Sequence, residues 1–114
     1  MTLFLHKTYI DFQNFDVSKD SGGYVFKNCG SSLVMDVQNA VAASGTNVMQ
    51  YQSHSGKNQR WSILDAGGGY YYIKSNLGDF YLEVAESSTA NRTNVQIASF
   101  TGNNNQKWKF TSVN

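Results

Sequence analysis

An all-β domain assembled from one repeated four-strand unit is the fold class this sequence predicts, and three observations predict it. The tetrapeptides Asn58-Gln59-Arg60-Trp61 and Asn105-Gln106-Lys107-Trp108 recur 47 positions apart. At that spacing, with no gap, Tyr24 falls on Tyr71, Lys27 on Lys74, Val37 on Val84, and Thr46-Asn47-Val48 on Thr93-Asn94-Val95. Short runs rich in aromatic and β-branched residues alternate with Gly-, Ser- and Asn-rich stretches, as in a barrel or sandwich of short strands.

Residues 1–23 are the shortest piece. Leu3-Phe4-Leu5-His6 lines up with residues 48–51, and Gln13-Asn14-Phe15 with Gln59-Arg60-Trp61 once one residue is deleted, so the piece reads as the back half of a unit. Phe15 then takes the place of Trp61 and Trp108. The opening two strands of that unit would be absent, leaving a barrel with an unpaired edge. The first complete copy, residues 24–67, breaks into runs at 24–27, 33–37, 47–51 and 60–64. Gly30-Ser31-Ser32, Ala43-Ser44-Gly45 and residues 53–58 separate them and have turn compositions. The second copy, residues 71–114, gives runs at 70–74, 80–84, 94–98 and 107–111, broken by Leu77-Gly78-Asp79 and residues 102–105. Gly67-Gly68-Gly69 is a connector, so the chain divides as 1–23, 24–69 and 70–114 within one domain. About ten strands result, where three whole units would give about twelve. No helix is expected, because the Ala-rich residues 40–43 are too few to propagate one and Gly45 follows.

A chain of 114 residues has room for one modest core, and 40% hydrophobic content with seven Tyr, seven Phe and two Trp is ample for it. Only 15% of residues are charged, and a net charge of +1 gives no electrostatic case for nucleic acid or an anionic membrane. No apolar run approaches the roughly 20 residues of a membrane-spanning helix. The start does not read as a secretory signal, since His6 and Lys7 follow Met1-Thr2-Leu3-Phe4-Leu5 at once; the expectation is an intracellular protein or a piece of a longer one. Cys29 is the only cysteine, so no intrachain disulfide forms and the redox compartment is not legible. Abundant Asn, Gln, Ser, Thr and Gly suit a partner that is itself uncharged and rich in hydroxyls.

A four-strand unit of this length ending in Gln-x-Trp resembles the ricin B-type lectins, the β-trefoil carbohydrate-binding modules. The likeness is strongest from Leu33 to Trp61: Asp36-Val37, Val48-Met49-Gln50-Tyr51, His54-Ser55, then Asn58-Gln59-Arg60-Trp61. It covers about 90 residues well and the first 23 loosely. What it implies is a β-trefoil whose tryptophans meet at the pseudo-threefold axis, with Gln59-Trp61, Gln106-Trp108 and the weaker Gln13-Phe15 as structural core. Three departures stand out. The half-cystines that often tie such units would fall near Val34 and Ser53, the first unit is incomplete, and the second copy has lost part of the sugar-site pattern.

A sugar ring offers an apolar C–H face and a rim of hydroxyls, so binding it takes an aromatic platform, a carboxylate and an amide or imidazole. The resemblance assigns these parts to the first copy. Asp36 would accept from two adjacent hydroxyls, Tyr51 would stack under the ring, Asn58 would bond a hydroxyl near Asp36, and His54 would close the pocket. Read without the resemblance, Asp36 is a surface or turn carboxylate, Tyr51 half-buried packing, His54 a solvated loop residue and Asn58 a turn former. In the second copy Glu83 replaces Asp36 and Ala98 replaces Tyr51, leaving Glu83, Gln96 and Asn105 as a weaker second site. His6 falls at the platform position of the N-terminal piece, where no carboxylate strand exists and no site is expected.

Enzyme readings find little support. Asp36 and Glu83 would have to approach within about 5–10 Å to act as a glycosidase pair, whereas repeat-related positions sit on different lobes. His6, His54 and Cys29 have no metal-ligand spacing, and no phosphate loop or Gly-x-Ser-x-Gly is present. Asn91-Arg92-Thr93 is a glycosylation acceptor pattern, meaningful only in a secreted eukaryotic protein. The expectation is a non-catalytic lectin or carbohydrate-binding module for galactose-, xylose- or mannose-type glycans, without metal or cofactor. It could act alone, as a homo-oligomer, or within a larger glycan-active protein. The resemblance would place it outside the cell. The rival reading is a trefoil used for protein contacts or assembly, its missing strands supplied by a second chain.

Overall fold

Through the described residues strands join in antiparallel pairs, each pair closing on the next. The computed structural model describes the backbone of residues 2–7, 10–85 and 95–112, and side chains within 14–85 and 95–112. The triplet Asn91-Arg92-Thr93, the Thr93-Asn94 match, and the side chains of His6 and Gln13 lie outside the described residues. Ten strands form one sheet: β1 (Thr2–Lys7), β2 (Ile10–Asp20), β3 (Gly23–Asn28), β4 (Val34–Val37), β5 (Val48–Tyr51), β6 (Trp61–Gly67), β7 (Tyr70–Ser75), β8 (Tyr81–Val84), β9 (Val95–Ala98) and β10 (Lys109–Ser112). Among the described residues there is no α-helix, only short 3-10 turns such as Gln38–Ala40, Lys57–Gln59 and Asn104–Gln106.

Six strands close into a barrel. β10 pairs β1, β1 pairs β2, β2 pairs β3, and β6 pairs β7, all antiparallel. The bridges Tyr24↔Trp61 and Tyr71↔Trp108 join β3 to β6 and β7 to the residue entering β10, which completes the ring. The hairpins β4–β5 and β8–β9 fold off this barrel, one per complete copy. They also touch each other, since Gly45 N–H donates to Ile97 O at 2.8 Å and Ile97 N–H to Thr46 O at 3.0 Å.

The register corrects the placement of the first piece. Leu3 stands opposite Phe15 as Tyr24 stands opposite Trp61 and Tyr71 opposite Trp108. β1 is therefore the first strand of its unit and β2 the fourth, and the middle hairpin is what the unit lacks. Residues 3–6 do not correspond to 48–51. The short apolar run Leu3-Phe4-Leu5 suits the first and third strands alike, so pattern alone could not locate the deletion. The expected unpaired barrel edge is also overturned, because the missing strands belong to a hairpin outside the ring.

Phe15, Trp61 and Trp108 are all but fully buried and share one core cluster with Phe26, Met35, Val37, Ile73, Leu82, Val84, Val95 and Ile97. Burying side chains of this size contributes roughly 1.5–3 kcal/mol each. Phe15 is smaller than an indole, and Phe26 packs edge-on against it at 5.8 Å between centroids. Each indole N–H finds the equivalent acceptor: Trp61 Nε1 donates to Met35 O at 3.4 Å and Trp108 Nε1 to Leu82 O at 3.0 Å.

A polar clasp ties the N-terminal pair to the first copy. Arg60, nearly buried, sets Nε 3.1 Å from both Asp20 oxygens and Nη2 2.8 Å from Oδ2. Gly22 N–H donates to Asp20 Oδ1, and Asn76 Nδ2 donates to Gly22 O at 2.7 Å. Gly23 sits in the same turn at φ +134°, where a Cβ would come within 2.9 Å of Trp61 O, so only glycine fits.

Candidate functional site

Alternation along β4 sends Met35 and Val37 to the core and Val34 and Asp36 to the opposite face. Cross-strand partners are Tyr51 for Val34 and Met49 for Asp36, so the face of the hairpin that carries the carboxylate also carries Tyr51. Tyr51 is half exposed, whereas Asp36 keeps 2% of its surface. A carboxylate so buried is costly unless its oxygens are satisfied. Gln59 Nε2 donates to Oδ2 at 2.8 Å and Asn58 Nδ2 to Oδ1 at 3.1 Å.

The 3-10 turn Lys57–Gln59 places both amides, and Gln59 holds the loop before it. Its Oε1 accepts from His54 N–H at 2.7 Å, and its Nε2 also donates to Gln52 O at 2.8 Å. His54 Nδ1 accepts from Gly56 N–H at 2.9 Å, which assigns the ring proton to Nε2. That nitrogen faces Asp36 Oδ2 at 3.9 Å with the ring about half exposed. Asp36, His54 and Asn58 are thus brought together, with Tyr51 on the same face of the hairpin. Gln59, expected only as a core residue, touches the carboxylate itself. Its separation of 23 residues from Asp36 gave no local signal.

The second copy builds the same frame with a different outlet. Gln106 Nε2 donates to Glu83 Oε1 at 3.0 Å and to Ser99 O at 2.9 Å, and its Oε1 accepts from Thr101 N–H at 2.9 Å. The extra methylene of Glu83 carries Oε2 to Gln96 Nε2 at 2.8 Å, away from Asn105. Asn105 instead donates to Val84 O at 3.2 Å, and its Oδ1 is buried without a partner among the described residues. Ala98 offers no ring. Three rings nevertheless meet nearby: Tyr72, Tyr81 and Phe100, with centroids 5.2–6.0 Å apart and Phe100 55% exposed. The first copy has Val25, Val34 and Ser53 at these positions, a contrast that comparing the copies would have revealed.

Among the described residues no group of three or more His, Cys, Asp or Glu could hold a metal ion. No helix in them is long and apolar enough to cross a membrane. The site offers a desolvated carboxylate, an amide, an imidazole N–H and an exposed phenol ring.

Comparison with known proteins bears on what such a frame belongs to. The designed threefold-symmetric protein ThreeFoil is 32% identical, with a TM-score of 0.83 over 88% of this chain and 72% of that one. An exo-β-1,3-galactanase from Clostridium thermocellum is 25% identical, with a TM-score of 0.91 over 98% of this chain but only 30% of its own. The ricin B-like lectin of Macrolepiota procera, solved with lactose, shares the fold at 13% identity, with a TM-score of 0.83 over 96% of this chain and 94% of that one. Residues 11–98 and 64–114 match the family described as ricin-type β-trefoil lectin domain-like. With the barrel, hairpins and Gln-x-Trp staples in place, the chain belongs to that family.

Proposed function

We propose that this chain binds carbohydrate without transforming it, through the pocket of Asp36, Tyr51, His54 and Asn58. The carrying observation is the buried Asp36 carboxylate, oriented by Gln59 and Asn58 beside the exposed Tyr51 ring. Gln59 and Asn58 use one donor each on it, leaving acceptor capacity for two ligand hydroxyls. Such hydrogen bonds fix which hydroxyl pair is accepted, while the Tyr51 face takes the C–H side of the sugar. Family membership supports carbohydrate binding in general, and the ligand class is galactose-, xylose- or mannose-type glycan. The galactanase, of which this fold is under a third, supports a role as the binding module of a glycan-active protein.

Calorimetric titration with methyl β-galactoside, xylobiose and methyl α-mannoside tests the assignment on wild type, Asp36→Asn and Tyr51→Ala. One sugar should bind wild type, with Tyr51→Ala weaker by about fivefold or more, the worth of a lost stacking contact. Equal affinity in all three proteins would remove the site.

A further inference from the structure

The loop that carries His54 recurs in the second copy with one acceptor exchanged. In the first copy Gln59 Oε1 accepts from His54 N–H at 2.7 Å, and His54 Nδ1 accepts from Gly56 N–H at 2.9 Å. At the equivalent positions of the second, Gln106 Oε1 accepts from Thr101 N–H at 2.9 Å, and Thr101 Oγ1 accepts from Asn103 N–H at 3.1 Å. A hydroxyl therefore serves this turn as an imidazole does, and a hydroxyl keeps its lone pairs whatever the pH. An imidazole does not. A proton on Nδ1 ends its use as an acceptor.

The ring is seated tightly where that proton would arrive. A Cβ on Gly56 would meet His54 Cε1 at 2.7 Å, His54 Nδ1 at 2.9 Å and Asn58 Oδ1 at 2.7 Å, so glycine is what lets ring and amide lie this close. With Nδ1 protonated, two donors face each other across that contact, and Gly56 N–H loses its acceptor. The backbone of His54 stays held by Gln59, and Gln59 N–H donates to Gly56 O at 3.1 Å, so the ring is the part that moves. Its other nitrogen lies 3.9 Å from Asp36 Oδ2, with the ring about half exposed. An imidazolium released from Gly56 is drawn to that carboxylate and donates to it in a charge-assisted bond. Among the described residues, Asp36 on β4 is the charged group within 4 Å of the ring; Tyr51 of β5 shares the carboxylate's face, and Lys57 follows Gly56 into the 3-10 turn. Of these side-chain types, imidazole is the one that ordinarily titrates between about pH 5 and 8.

We infer that His54 is a proton-operated latch on the Asp36 pocket: neutral, it is tied back to Gly56 and leaves the carboxylate open to sugar; protonated, it releases Gly56 and closes on Asp36. This rests on the carbohydrate-binding reading of that pocket and adds how the pocket is regulated. The imidazolium takes up acceptor capacity that Asp36 otherwise offers to ligand hydroxyls. Sugar is then held at neutral pH and released as pH falls through the imidazole range, about 8 to 5.

Two measurements on wild type and His54→Thr test it across that range: backbone amide shifts without ligand, and calorimetric titration with methyl β-galactoside, xylobiose and methyl α-mannoside. His54→Thr installs the hydroxyl that the second copy already uses. The Gly56 amide should shift with pH in wild type and hold still in His54→Thr, while Asn103 holds still in both. The wild-type Kd for the sugar that binds should rise at least about fivefold from the neutral to the acidic end. In His54→Thr, whatever its affinity at the neutral end, Kd should change by less than about twofold. A wild-type Kd that is flat with pH, or one that rises as much in His54→Thr, overturns the latch and leaves the proposed function standing. So does a Gly56 amide that fails to move. No binding of any of the three sugars at any pH overturns both.

Discussion

Asp36 draws its orientation from two amides that belong to the structural frame, and in the proposed reading this couples binding to stability at a single residue. Removing the carboxylate leaves the Asn58 amide without its best acceptor and takes from Gln59 one of two. Leaving such buried donors unmet costs about 1–3 kcal/mol. Asp36→Ala should therefore lower the denaturation midpoint as well as abolish binding, whereas Tyr51→Ala at an exposed ring should cost affinity alone; chemical denaturation of both variants checks this. That Asp36, His54 and Asn58 come together, with Tyr51 on the same hairpin, was legible because the motif fixes their spacing. Gln59's bond to the carboxylate was not, because it joins positions that only the folded hairpin brings together. Nor was the bond from the Gln96 amide to Glu83, which the added methylene of Glu83 brings within reach.

At the scale of elements, the strands of the complete copies were legible to within a residue or two, since aromatic and β-branched runs between turn compositions leave little choice of face. β1 was misplaced because its short apolar run fits two strands of the unit equally, and only its pairing with β10 and β2 decides. The clasp between β2 and the turn before β6 had no sequence signal either. Asp20 there is held below the ordinary carboxyl value, first by its hydrogen bonds from Arg60 and then by Gly22 N–H, against a partly offsetting desolvation. A carboxyl lowered on folding stabilises fully above its unfolded value, and that contribution fades as pH falls through the lowered folded value. Melting temperature followed from pH 6 down through the carboxyl range should fall less steeply for Asp20→Asn than for wild type, and the variant should be the less stable at neutral pH. Parallel curves would deny the clasp this role.

The whole molecule is a closed ring of six strands with two hairpins of the same frame, and the incomplete first unit still contributes both barrel strands and a core ring, Phe15. Loss of a hairpin costs the barrel no hydrogen-bonded edge, so the ring needs no strand from a second chain to close. What the missing hairpin does remove is the strand that would carry a third carboxylate. The buried carboxylates Asp36 and Glu83 accordingly fall on the two complete copies. A crystal structure of the protein with whichever of the three sugars binds most tightly is the most direct test of the central claim. The expected result is a sugar ring on Tyr51 with two hydroxyls within hydrogen-bond distance of Asp36 and one of Asn58; a sugar bound elsewhere, with that pocket empty at saturating ligand, would contradict it.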